Sequence, residues 1–177
     1  MHRLNEKIAE ILRQHPEGEP FFDALDAMIR GDQNILEAFM NFVYSKIEGK
    51  RFGVILSGNF GNAIFSAYGL ELYQNFSDVI LVNGGIRKGE VPVIFKEKLA
   101  TTDYIFLDDS FYSGTTRNSI ASVLGSLNGR IVRTFVIYDG AKVRQRDVFS
   151  MFRYFDKYPE TKDLDLFIVV IISKHTI

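Results

Sequence analysis

The 177-residue chain contains no cysteine. Disulfides, thiolate nucleophiles and zinc–cysteine sites are therefore excluded at once. Its three histidines, His2, His15 and His175, lie near the termini, and no pair has metal-ligand spacing. A structural zinc site is not expected. No sign of charge dominates: 21 basic against 22 acidic residues leave a formal net charge of -1, which argues against a nucleic-acid binder that relies on a global basic field. Long hydrophobic runs are also missing. The longest, LFIVVII at 166–172, is far too short to cross a bilayer. The charged N-terminal stretch MHRLNEKIAEIL lacks the apolar core of a secretory signal. There is no GxxxxGK[ST] phosphate loop, internal repeat or low-complexity linker. The expectation is one domain over 1–177, cytoplasmic, with neither a nucleic-acid nor a membrane partner.

What is present changes character along the chain. Leu4, Ile8, Ile11 and Leu12 repeat at helical spacing. A short helical stretch carries Phe21, Phe22, Leu25, Met28 and Ile29. Asp32 is placed to cap a further helix bearing Ile35, Phe39, Phe42, Val43 and Ile47. From residue 52 short apolar runs alternate with helical segments. The runs are FGVILS (52–57), DVILVN (78–83), DYIFLDD (103–109), RIVRTFVIYDG (130–140) and LDLFIVVIIS (164–173). Helices are expected from about Asn62 to Asn75, Thr115 to Leu127 and Val143 to Phe155. Continuous apolar runs suit strands covered on both faces. The alternation predicts an α/β fold with a mostly parallel central sheet flanked by helices.

Ligands of such sheets bind beyond the carboxyl ends of the strands, so the residues after each run are the ones to read for function. After the third run comes Ser113-Gly114-Thr115-Thr116, opening a helix. Gly114 permits a tight loop, and the backbone amides of a helix start converge on one point. With three hydroxyls added, the segment is a socket for a phosphate. Just before it, Asp108 and Asp109 stand side by side. Carboxylates accept hydrogen bonds from a vicinal diol, and either can lie near a divalent cation. A diol at one end and a phosphate at the other describe a ribose 5-phosphate.

The segment YIFLDDSFYSGTT resembles the 5-phosphoribosyl-1-pyrophosphate (PRPP) signature of the type I phosphoribosyltransferases. The resemblance covers about residues 52–140 and implies a Rossmann-like core, about 33–140, with a small hood built from the terminal segments. It implies that Ser57, Gly58, Asn59, Phe60 and Gly61 wrap the pyrophosphate. It also implies that Arg87 and Lys88 act with Asp108 and Asp109 at the reacting end. Mg²⁺ is the implied cofactor, PRPP and a nucleobase the implied partners, and a homodimer the implied assembly. The chain departs from the pattern in a short segment, GEVPVIFKEKLATT, where the family carries a longer lid, and in the bulky Phe111 and Tyr112. Base recognition falls to Tyr138, which can stack on a ring, and to Asp139, which can accept from it, with an ordinary strand-ending turn as the equal alternative. Arg144 and Arg146 can reach an anionic base or simply line a solvated helix face. A non-catalytic PRPP-binding regulatory protein is the second functional reading.

Overall fold

Val, Ile, Leu, Phe and Tyr concentrate in five short segments, and these pair side by side rather than folding back as hairpins. The computed structural model describes residues 2–14, 25, 27–28, 32–47, 51–82, 92–94 and 98–154. Its strands are β1 (Gly53–Ser57), β2 (Asp78–Val82), β3 (Asp103–Phe111), β4 (Arg130–Asp139) and β5 (Val148–Arg153). They form one sheet in the order β2-β1-β3-β4-β5, parallel at every pairing. The expected α/β architecture is the observed one.

Side chains of a strand alternate between faces, and both faces are filled. Val54 and Leu56 of β1, with Ile105 and Leu107 of β3, meet one core. On that side lie α1 (His2–Gln14), α2 (Gln33–Tyr44) and α3 (Gly58–Asn75), through Ile8, Phe39, Val43, Phe60 and Ile64. Ile55 and Phe106 point to the opposite core, where α4 (Thr115–Ser126) supplies Ile120 and Leu124. Asp32 caps α2 as expected, accepting from the Asn34 amide at 3.1 Å, and Lys7 of α1 pairs with the same carboxylate.

Two expectations are corrected. The first concerns the residues after β1. GNFG is not a loop ahead of a helix starting near Asn62: α3 begins at Gly58 itself. Gly58 makes the turn with a φ of 59°, in the left-handed region that glycine enters without steric cost. The second concerns Val143 to Phe155. Residues 143–153 form no helix, and 148–153 are strand β5. Val148, Met151 and Phe152 have helical spacing, but the exposed edge of β4 offers a ladder of backbone partners. Pairing there, with Thr134 opposite Val148 and Tyr138 opposite Phe152, buries all three. The connection from β4 is only residues 140–147, short for a parallel crossover. The run at 164–173 and the stretch containing Phe21 and Phe22 lie outside the described residues. Among the described residues no helix is long and apolar enough to cross a membrane.

Gly61 reveals how tightly α3 seats on β1. A Cβ at this position would lie 2.7 Å from the Leu56 carbonyl carbon, a backbone atom that cannot swing aside. Gly61→Ala is therefore expected to destabilise the fold by roughly 1–3 kcal/mol through overpacking. Urea unfolding of the variant checks this; an unchanged midpoint would contradict the packing.

Candidate active site

β3 outruns β1. Their pairing stops at Leu56 opposite Leu107, whereas β3 continues beside β4 as far as Phe111 opposite Asp139. Residues 108–111 therefore have a sheet neighbour on one side only. On the other side the chain has already turned at Gly58 into α3. The helices after β1 and β3 lie on opposite faces of the sheet, so a crevice opens at the carboxyl edge between the two strands, the topological switch point of such a sheet. A cavity of about 410 Å³ occupies it.

Most of the residues singled out in the sequence meet in this cavity. Ser57, Gly58, Asn59 and Phe60 line it from the β1 side, and Asp108, Asp109 and the run Ser113–Thr116 line it from the β3 side. Gly61 does not: it faces the Leu56 backbone, so its small size serves helix packing rather than approach to a ligand. Arg87 and Lys88 lie outside the described residues.

The hydroxyl loop is built to present donors. Gly114 caps α4 with φ 73° and ψ 15°, and the ring of Phe111 lies beneath it, 3.0 Å from where a Cβ would stand. Glycine as the cap offers no side-chain acceptor to the first turn, and the Thr115 amide donates to Ser113 Oγ at 3.4 Å. Ser113 Oγ and Thr115 Oγ1 lie 2.8 Å apart, so their hydroxyls already converge. Phe111, one of the two bulky departures from the family pattern, is thus a floor under the loop, buried with Val136, Ala141 and Val148.

The two carboxylates are held differently. Asp108 is half-buried and accepts from the Asp109 amide at 3.1 Å. Ser110 Oγ donates to Asp109 Oδ1 at 3.1 Å. Burial pushes the Asp108 carboxyl well above the usual carboxylate range; the charge of Asp109 adds to this, and the Asp109 amide only partly opposes it. A cation or a row of hydroxyl donors in the cavity would favour the ionised form.

The end of β4 is a different matter. Tyr138 is fully buried, stacked on Phe152 with centroids 5.6 Å apart and planes at 12°, and it packs on Tyr112. Asp139 is also buried and is engaged by Arg153 Nε at 3.2 Å and the Ala141 amide at 2.9 Å. Neither lines this cavity, and both are buried at the strand end, with Asp139 beside a second cavity. Arg144 and Arg146 are exposed in the β4–β5 crossover, not on a helix, beside a second cavity of about 540 Å³ at the outer edge of β5.

One cavity residue escaped the sequence reading. Arg117, in the first turn of α4, lines the cavity and is ion-paired with Asp147 of the crossover. Its position three residues beyond Gly114 was the available signal. Its partner, thirty residues on, gave none. The pair fastens the start of α4 to the segment leading into β5.

A carboxyl whose pKa is raised by folding contributes stability at pH values below its unfolded pKa, near the ordinary 3.8, and that contribution is lost as pH rises through the folded value. Asp108→Asn cannot ionise. Relative to the parent, the variant is expected to gain stability steadily as pH rises from about 3.8 towards neutrality. Urea melts across that range in the absence of ligand would show the widening gap; a constant gap would contradict the burial effect.

No protein-family model matches the chain, and no curated protein matches it in sequence. Solved structures do match. The orotate phosphoribosyltransferase from Aeropyrum pernix superposes with a TM-score of 0.53 at 14% identity, covering 75% of this chain and 80% of that one. The purine phosphoribosyltransferase from Pyrococcus horikoshii superposes with a TM-score of 0.50 at 17% identity, covering 67% and 82%. The five-stranded parallel sheet with its flanking helices is thus the fold of the phosphoribosyltransferases.

Proposed function

We propose that the protein transfers a 5-phosphoribosyl group from PRPP to a nucleobase and releases pyrophosphate. The observation that carries this reading is one cavity with donors at one end and acceptors at the other. The amides and hydroxyls of Ser113, Gly114, Thr115 and Thr116 suit the 5-phosphate, and Asp108 and Asp109 suit the ribose hydroxyls. Ser57, Gly58, Asn59 and Phe60 begin a helix facing the same space and suit the pyrophosphate. Arg87 and Lys88 are proposed to join it there.

In the reaction the C1–oxygen bond to pyrophosphate breaks, and the electron pair leaves with the pyrophosphate. A bond from an acceptor nitrogen to C1 forms, and that nitrogen loses its proton. Bond breaking ahead of bond making leaves positive charge on the ribose, beside which the Asp108–Asp109 pair stands. Amides fixed at the start of α3 stabilise the departing anion without reorganising. Mg²⁺ fits as a cation shared with the ligand: two adjacent carboxylates are present, while no cluster of three His, Cys, Asp or Glu occurs among the described residues. Bound with pyrophosphate, it supplies positive charge to the leaving group. The burial of Tyr138 and Asp139 favours a second reading, a PRPP-binding regulatory protein without turnover.

Two substitutions and one assay test the proposal. Gly114→Val places a branched side chain over the Phe111 ring in a left-handed backbone, and is expected to abolish PRPP binding by calorimetry. Asp109→Asn removes charge-assisted hydrogen bonds worth roughly 1.5–3 kcal/mol, so PRPP affinity should drop by about tenfold or more in a protein that still folds. Pyrophosphate release is then followed with PRPP, Mg²⁺ and a panel of purine and pyrimidine bases. Release with at least one base is expected. Tight PRPP binding with no release would move the conclusion to the regulatory reading.

A further inference from the structure

On the phosphoribosyl reading of the cavity, we infer that Tyr112 determines specificity: its ring limits what can stand on C1 to a single-ring heterocycle or a smaller acceptor. Ser110 lies opposite Tyr138 and Phe111 opposite Asp139, and the Gly140 amide donates to the Phe111 carbonyl at 2.9 Å. The next residue of the loop, Tyr112, therefore emerges over Gly140. A Cβ on Gly140 would lie 2.4 Å from Tyr112 Cε1, so the ring rests directly against the glycine backbone.

The ring has no room to retreat. Behind it stands Tyr138, with centroids 5.6 Å apart and planes at 43°, and behind Tyr138 lies Phe152 at 5.6 Å. Tyr138 and Phe152 are both buried, so the three rings form a row running from the cavity wall into the core. Tyr112 itself lines the cavity. Asp139, the other group at this strand end, is closed off by Arg153. Between the end of β4 and the cavity stands the Tyr112 ring of the loop after β3.

Geometry then assigns the side. With phosphate at Ser113–Thr116 and the diol at Asp108 and Asp109, pyrophosphate takes the β1 side, where α3 begins. The incoming group must approach C1 from the opposite face, which is the β4 side. A single ring can lie against Tyr112. A fused double ring extends into the space the tyrosine holds, and the core behind prevents the tyrosine from yielding.

The test uses calorimetry with three probes: ribose 5-phosphate, uridine 5′-monophosphate and guanosine 5′-monophosphate. The parent protein should bind the uridine compound more tightly than the guanosine compound. Tyr112→Leu should improve the guanosine compound by about tenfold, the scale on which a hydrophobic pocket discriminates size, and leave ribose 5-phosphate nearly unchanged. Gly140→Ala, which drives the ring forward, should weaken both nucleotides and spare ribose 5-phosphate. Circular dichroism checks folding; if Gly140→Ala does not fold, the Tyr112→Leu comparison decides. Equal shifts for all three probes would make Tyr112 a support for the phosphate loop. That result, or equal parent affinity for the two nucleotides, overturns the inference and leaves the phosphoribosyl reading intact. Failure of the parent to bind ribose 5-phosphate overturns both.

Discussion

The mismatch in length between β1 and β3 governs the rest of the structure. β1 ends at Ser57 because Gly58 turns the chain into α3 at once, and Gly61 lets that helix settle against the Leu56 backbone. β3 runs four residues beyond its last pairing with β1 and remains bound to β4 over that length. The overhang is therefore rigid on one flank and open on the other. A crevice follows from hydrogen bonding alone, before any side chain is considered, and its position at the switch point of the sheet makes it a natural ligand site.

The overhang also explains the placement of an expensive pair of carboxylates. Asp108 and Asp109 repel each other and Asp108 is partly desolvated, so the ligand-free protein holds one of them against its preferred ionisation. A core would not keep such a pair without compensation. Beyond the end of β1 the pair instead faces a cavity whose other end is a cluster of amides and hydroxyls. The polarity of that cavity, donors facing acceptors, matches a ligand carrying an anion at one end and hydroxyls at the other. Arg117 adds a cation at the donor end that Asp147 holds in place. Through that pair the loop at the start of α4 is braced by the crossover between β4 and β5.

How much was legible depends on where each residue's partner lies. Asp108, Asp109 and Ser113–Thr116 were readable because six positions of one short segment carry the chemistry, and a strand followed by a helix is local information. Asp32 was readable as a cap for the same reason, since its acceptor role spans two residues. Residues 148–153 were misread as helical because their apolar spacing suits either structure, and only the edge of β4, fourteen residues away in register, decides for strand. Tyr138 and Asp139 looked like ligand groups because they follow an apolar run. Their burial is decided by Phe152, Arg153 and Tyr112, which belong to two other elements.

The parallel α/β class, the run of donors behind Gly114 and the acidic pair before it are local properties of the chain, because hydrophobic period and turn chemistry act over a few neighbouring residues. Which of these face one another is set by packing and strand register. The overhang of β3 past β1, the ion pair between Arg117 and Asp147 and the seat of Tyr112 on Gly140 join positions about thirty residues apart or more, or lying on different elements. Such contacts are selected by how layers pack and how strands register. Those outcomes depend on the whole sheet at once, and no local pattern carries them.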